Sequence, residues 1–272
     1  MPAYSAPTVS NADRRAYALR KLFSLTGVLP IGVFLVAHLG TYSTALLGRD
    51  AFERALGAGR SPYGLVLEVA LLWLPLAFHA GYGIKVLFEG RSNASRYPWA
   101  RNWSYALQRL SAVVVLVFIG AHLLQFRIPL LTGELDHDDL FYELCASLSS
   151  TTAWGVPWVA LGYLFGLAAT AYHFANGLSG LCFSWGIATG RRGLARVHAV
   201  TGLFGVALFA MGANSIIYFS TGSRFALSAA GHEPATPPLS CRHAAAEDVA
   251  GDAEPGAALT GAPAAKVAFG AR

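Results

Sequence analysis

The sequence predicts an all-α membrane protein: a bundle of five transmembrane helices with the N-terminus cytoplasmic and the C-terminus outside. Three observations predict it. The chain is 54% hydrophobic and only 13% charged, it contains five apolar stretches of spanning length, and its basic residues gather at alternate ends of those stretches. A soluble domain carries ~25% charged residues, about twice this share, so lipid is the solvent that the composition suits. A bilayer core ~30 Å thick needs ~20 apolar residues in a helix. Residues 22–47, 65–88, 106–131, 155–187 and 197–220 all supply them.

The N-terminal segment, residues 1–21, carries Arg14, Arg15, Arg20 and Lys21. The apolar run from Leu22 is too long for a signal peptide and lacks a small-residue cleavage site, so it reads as a retained first span. Lys85, Arg91, Arg96 and Arg101 follow the second span, and Arg191, Arg192 and Arg196 separate the last two. The positive-inside rule makes these three segments cytoplasmic. The outer connections hold the acidic cluster Glu134, Asp136, Asp138 and Asp139, with Arg49, Arg54 and Arg60 as an exception in the first outer loop. The membrane domain therefore covers residues 22–221. Residues 222–272 are rich in Ala, Gly and Pro, have no periodic apolar pattern, and are expected to form a disordered external tail. Topology accounts for the net charge of +5, so no nucleic-acid partner is expected. Cys145, Cys182 and Cys241 form no CxxC or CxxCH pattern, which argues against covalent c-type haem, iron–sulfur clusters and a zinc site.

Histidine is costly inside a bilayer and marks functional positions there. Four of the eight histidines lie deep within spans, one per helix: His38, His79, His122 and His173. His137, His198, His232 and His243 lie in loops, at a span's cytoplasmic start or in the tail, and are expected to be solvated non-ligands. At ~1.5 Å of rise per residue, His38 and His122 both stand ~24 Å from the inner ends of outward-running helices, in the outer half. His79 lies ~13 Å from the inner end of the second helix, and His173 lies past the midpoint of the inward-running fourth, so these two share the inner half. Two pairs at two levels suit bis-imidazole ligation of two stacked haems, because neutral imidazole is a good iron ligand. Gly162, Gly166, Ala169, Gly177 and Gly180 on the His173 face, and Gly83 after His79, would give a haem a flat wall or simply allow close helix packing. Phe34 and Phe118, each four residues before a histidine, read as lipid or core packing.

At these residues the chain resembles the single-polypeptide, five-helix dihaem cytochrome b subunit of succinate:quinone oxidoreductases, found with succinate dehydrogenases and some fumarate reductases. The resemblance runs from about Arg14 to Phe219. It is carried by SLTGVLPIGVFLVAHL (Ser24 to Leu39), LEVALLWLPLAFHAGYG (Leu67 to Gly83), RNWSYALQRL (Arg101 to Leu110) and HFANGLSGLCFSWG (His173 to Gly186). It implies two haems b, the outer held by His38 and His122 and the inner by His79 and His173, in a multi-pass protein of the bacterial cytoplasmic membrane. It also implies a flavoprotein subunit and an iron–sulfur subunit as partners. Electrons would then pass between the iron–sulfur subunit and a membrane quinone, menaquinone by resemblance. The chain has neither a flavin motif nor a cysteine cluster, so the dicarboxylate chemistry falls to the partners.

Quinone reduction takes up protons, and Glu68, eleven residues before His79 and thus on its face, is the candidate carboxylate near the outer end; otherwise it is an interfacial carboxylate reaching headgroup water. Glu53 is the weaker alternative. Ser24, Arg20, Lys21 and Arg109 are candidates for haem propionates, or a backbone-bonding serine and topology signals. Some fumarate-reducing relatives have a glutamate two residues before the fourth ligand, where this chain has Ala171, which favours succinate oxidation. The quoted stretches disfavour a hydrogenase or formate dehydrogenase anchor, and one histidine per helix disfavours a bc-type cytochrome. The rival from another class is a proton-relaying transporter that binds no haem.

Overall fold

The computed structural model describes residues 10–58, 63–152 and 154–224. Arg60, His232, Cys241, His243 and nearly all of the expected tail, from residue 225 onward, lie outside these residues. Five helices among them are long and apolar enough to cross a membrane: α1 (Asn11–Leu47), α3 (Gly64–Glu89), α4 (Ala100–Thr132), α6 (Trp158–Ser184) and α7 (Gly190–Thr221). Two shorter helices, α2 (Arg49–Ala58) and α5 (Leu140–Ser149), occupy the connections after α1 and α4. Val33, Leu71, Val117, Phe165 and Leu203 point outward from the five long helices. Such apolar exposure suits lipid contact.

The first helix begins eleven residues before its apolar run, so Arg14, Arg15, Arg20 and Lys21 are helical. Its start is set by a capping box. The Asp13 N–H donates to Ser10 Oγ at 3.1 Å, while the Asp13 carboxylate accepts from Ser10 N. Pro30 then interrupts α1, since it has no N–H to donate and its ring crowds the preceding turn. The part before the proline packs on α3, and the part after it packs on α7.

Proline also explains the irregularities of α3 and α4. Each contains a π turn, Val69–Trp73 and Leu123–Arg127, and in each a proline follows two residues later, Pro75 and Pro129. A proline ring clashes with the carbonyl four residues back. Those carbonyls belong to Leu71 and Gln125, inside the two widened turns.

Helix α7 lies along α6, which also packs on α4 and on the first half of α1. A Cβ at Gly205 would sit 2.7 Å from Ala175 Cβ, and one at Gly212 would sit 2.8 Å from Leu167 Cδ2. These glycines therefore permit the close approach of α7 to α6. The buried hydroxyls of Ser179 and Thr201 bridge the two helices at 2.5 Å. The most enclosed cluster lies at the end of the bundle that carries α2 and α5. Phe52, Phe126, Leu140, Phe141, Leu144, Leu148, Tyr218 and Phe219 meet there. The short helices cap one end of the bundle, and arginine-bearing turns occupy the other.

Candidate functional site

The four intramembrane histidines meet as two pairs in space. The rings of His38 (α1) and His122 (α4) lie 5.8 Å apart, centroid to centroid, with their planes crossed at 87°. Those of His79 (α3) and His173 (α6) lie 6.4 Å apart, crossed at 90°. The pairs are those that the depth argument drew together. The first lies towards the α2/α5 end and the second towards the arginine-rich end.

This spacing can be tested against metal ligation. A metal–nitrogen bond of ~2.0–2.1 Å, plus ~1.1 Å from nitrogen to ring centre, would set two imidazole centroids on opposite sides of one metal ~6.2–6.4 Å apart. Both pairs fit. A haem also needs partners for its propionates, and each level has a guanidinium with unused donors. Arg109 Nε and Nη1 and Arg127 Nε are buried and have no hydrogen-bond partner among the described residues.

Ligation through Nε2 requires the proton on Nδ1, and the surroundings of His79 favour that tautomer. His79 Nδ1 lies 3.1 Å from the carbonyl oxygen of Phe23, which can only accept. His173 Nδ1 lies 3.3 Å from the Gln108 carbonyl, 3.3 Å from Ser111 Oγ and 3.2 Å from the Gln108 side-chain nitrogen. The Gln108 side chain donates to the His173 carbonyl at 3.1 Å and accepts from Asn176 at 2.8 Å, fastening α4 to α6 at this level. His122 Nδ1 lies 3.3 Å from the Tyr163 hydroxyl, which donates to Gln125 Oε1 at 2.9 Å. His38 packs between the rings of Phe34 and Tyr42 at 5.3 and 4.5 Å.

The glycines divide by role. A Cβ at Gly27 would strike the His79 ring, at Gly166 the Phe118 ring, and at Gly32 the Phe174 ring. A Cβ at Gly83 would be in ordinary contact with Phe23 at 3.5 Å, and one at Gly177 with Gln108 at 3.5 Å. At Gly162 and Gly180 it would meet no atom within 4 Å. The expected stripe is thus part packing and part open wall. Gly27 lies eleven residues before His38 on the same helix, and nothing in the sequence announces its contact with the His79 ring. Phe34 and Phe118 pack directly against ligand-candidate rings, the latter 6.2 Å from His122.

Glu68 sits differently from its expected register. The π turn at Val69–Trp73 inserts a residue between Glu68 and His79, which rotates Glu68 by about 100° out of line with that histidine. It faces α4 instead, where Arg127 donates to Oε2, while Trp73 Nε1 donates to Oε1 at 3.1 Å. The matching π turn in α4 does the converse for Arg127. Five residues after His122 would face ~140° away in a regular helix, but a π turn returns Arg127 close to the histidine's face. Two leucine-proline-like junctions, LP at 74–75 and IP at 128–129, were the available sequence signals for these turns.

The remaining candidates scatter. Glu53 pairs with Arg49 within α2, away from the histidines. Arg109 donates to the Val86 carbonyl at 3.0 Å and lies over the Tyr105 ring at 3.9 Å, securing the last turn of α3. Lys21 donates to the Ser184 carbonyl and lies 4.8 Å over the Trp185 ring, joining α1 to the end of α6. Arg20 lines a surface hollow with Asn11, Tyr82, Lys85 and Glu89, and Ser24 is half-buried beside Phe23. No group of three or more His, Cys, Asp or Glu residues suited to a metal ion occurs among the described residues.

Comparison with known proteins agrees with this architecture. Residues 92–212 match the family model of the succinate dehydrogenase/fumarate reductase transmembrane subunit. The chain is similar to the succinate dehydrogenase cytochrome b558 subunit of Bacillus subtilis (strain 168), with 34% identity over 210 residues that cover 76% of this chain and 99% of that protein. A five-helix membrane architecture, together with similarity over nearly the whole of that relative, places this chain in the family of succinate dehydrogenase/fumarate reductase transmembrane subunits.

Proposed function

We propose that this subunit is the dihaem cytochrome b anchor of a succinate:quinone oxidoreductase, passing electrons between an iron–sulfur subunit and a membrane quinone, menaquinone by family resemblance. The observation that carries the reading is the pair of crossed imidazole couples, His38 with His122 and His79 with His173, each close enough in spacing that its two rings would hold one iron between them. Two haems b, when bound, supply one-electron carriers at two depths.

The chain's own residues do the rest. The Phe23 carbonyl holds His79 as the Nδ1–H tautomer, which would leave its Nε2 for iron, and the Gln108 carbonyl and the Ser111 hydroxyl stand as acceptors at His173 Nδ1. Arg109 and Arg127 carry free N–H donors for propionates at the two levels. The arginine-rich end faces the cytoplasm and receives the iron–sulfur and flavoprotein subunits, which perform the dicarboxylate chemistry. The α2/α5 end faces outside, and there Glu68, poised between Arg127 and Trp73, takes part in proton exchange with the quinone. Succinate oxidation is the favoured direction.

The test is a dithionite-reduced minus oxidised visible spectrum with haem quantification on the purified wild type, His38→Ala and His79→Ala. Two haems per chain are expected in the wild type, with each substitution impairing a different one. A correctly folded wild-type protein without haem would overturn the proposal in favour of the transporter.

A further inference from the structure

The three hydrogen-bonded histidines are held in two distinct ways. At the arginine-rich level, Nδ1 of both rings faces a main-chain carbonyl, of Phe23 and of Gln108, with the Ser111 hydroxyl and the Gln108 side chain also beside His173. Side-chain substitution does not delete such an acceptor. At the other level, His122 faces a side chain, and that side chain begins a chain of them. Gln125 donates from Nε2 to Ser147 Oγ in α5, which leaves Gln125 Oε1 to accept from the Tyr163 hydroxyl at 2.9 Å. The Tyr163 proton is thereby committed to Gln125. Its oxygen is left as an acceptor for His122 Nδ1–H at 3.3 Å. The direction of every bond follows from the fixed donor at the Gln125 amide. Tyr163 is itself braced edge-on against Phe118 at 5.3 Å and Phe126 at 6.1 Å. Gln125 owes its position to the π turn Leu123–Arg127. The anchor of the chain, Ser147, belongs to a helix whose Leu144 and Leu148 are sealed in the enclosed core.

We infer that Tyr163 and Gln125 are positioning residues for His122, and that through this chain the capping helix α5 sets the redox potential at the His38/His122 site independently of the other site. The inference rests on the dihaem reading above. An acceptor on Nδ1–H makes the imidazole a stronger electron donor and favours ferric iron, so its loss raises the potential. One hydrogen bond is worth ~0.5–1.5 kcal/mol, or up to about a tenfold change in the one-electron equilibrium, which corresponds to ~59 mV.

The test is a spectroelectrochemical titration of the intact, haem-loaded complex carrying wild-type subunit, Tyr163→Phe or Gln125→Met. His38→Ala identifies which of the two redox waves belongs to the site near α5. Tyr163→Phe retains the ring and its packing and removes only the acceptor. Its expected effect is an upward shift of that one wave, by as much as tenfold in equilibrium constant, with the other wave unmoved. Gln125→Met, which frees the phenol to turn, shifts the same wave by less. Two waves in the wild type with neither moved by Tyr163→Phe overturns the inference, as does an equal shift of both waves. A wild-type complex without two haem waves overturns the dihaem reading and the inference with it.

Discussion

Gly27→Ala offers the sharpest perturbation, because one methyl group tests whether His79 is held for ligation. The added Cβ would lie 2.9 Å from Nδ1 and 3.3 Å from Nε2 of that ring, with Cε1 closer still. Ordinary contact needs ~3.5–4.0 Å, so the ring or α1 must give way by at least ~0.6 Å at Nδ1. The ring has little freedom to yield. Its Nδ1 is tied to the Phe23 carbonyl at 3.1 Å, and its face is stacked on Phe23 at 4.5 Å. Overpacking of this kind costs ~1–3 kcal/mol. If the cost falls on the liganded geometry, one haem binds about ten- to a hundredfold more weakly. The assay is haem retention against an external haem acceptor, read from the reduced visible spectrum, with potentiometry of what remains. Gly40→Ala on the same helix is the control, since a Cβ there meets nothing within 4 Å. The reasoning is refuted if Gly27→Ala keeps both haems with wild-type affinity and potentials, or if Gly40→Ala loses haem equally.

Two further outcomes concern stability. Phe52 is completely enclosed and packs edge-on against Tyr42, Phe141 and Phe219. Phe52→Ala should cost ~3–5 kcal/mol and lower the melting temperature in detergent by roughly 10 °C, whereas an unchanged melting temperature would contradict the assignment of the core to the α2/α5 end. Glu68 and Arg127, each about three-quarters shielded at 26% and 23% side-chain exposure, should behave as a coupled pair. Glu68→Gln and Arg127→Gln should each destabilise, and the double substitution should cost ~1 kcal/mol less than their sum; strict additivity in thermal unfolding would rule the coupling out.

The chemistry at the capped end differs from that at the arginine-rich end in what can be altered. A backbone carbonyl faces Nδ1 of His79 and of His173, whereas His122 depends on side chains from α4, α5 and α6. Among the described residues, the capped end brings a carboxylate, a guanidinium and an indole together on spanning helices. That contrast fits a division between a site of electron entry and a site where protons are also handled, the arrangement proposed here for quinone.

Much of this protein was legible in the sequence because the bilayer makes local composition decisive. Spanning length identified five helices, and alternating direction plus a constant rise turned residue numbers into depths. Together they drew His38 towards His122 and His79 towards His173. Depth along a helix needs no knowledge of neighbours. Rotation about the helix does, and there the tertiary structure decided. The π turns before Pro75 and Pro129 moved Glu68 off the His79 face and Arg127 onto that of His122, changes that a strict 3.6-residue period cannot register. The capping box at Ser10 and Asp13 carried α1 well beyond its apolar run, because a helix ends at its cap and not at the membrane boundary. Which glycines meet a ring and which face open space depended on the approach of other helices. The tautomer-setting partners of the histidines come from residues 41 to 65 positions away, so no periodicity could announce them. The sequence by its composition alone determines five helices of spanning length and the pairing of the imidazoles by height, since both follow from rise and solvent. The packed structure decides which way each side chain turns and which neighbours it meets, since both depend on contacts between distant segments.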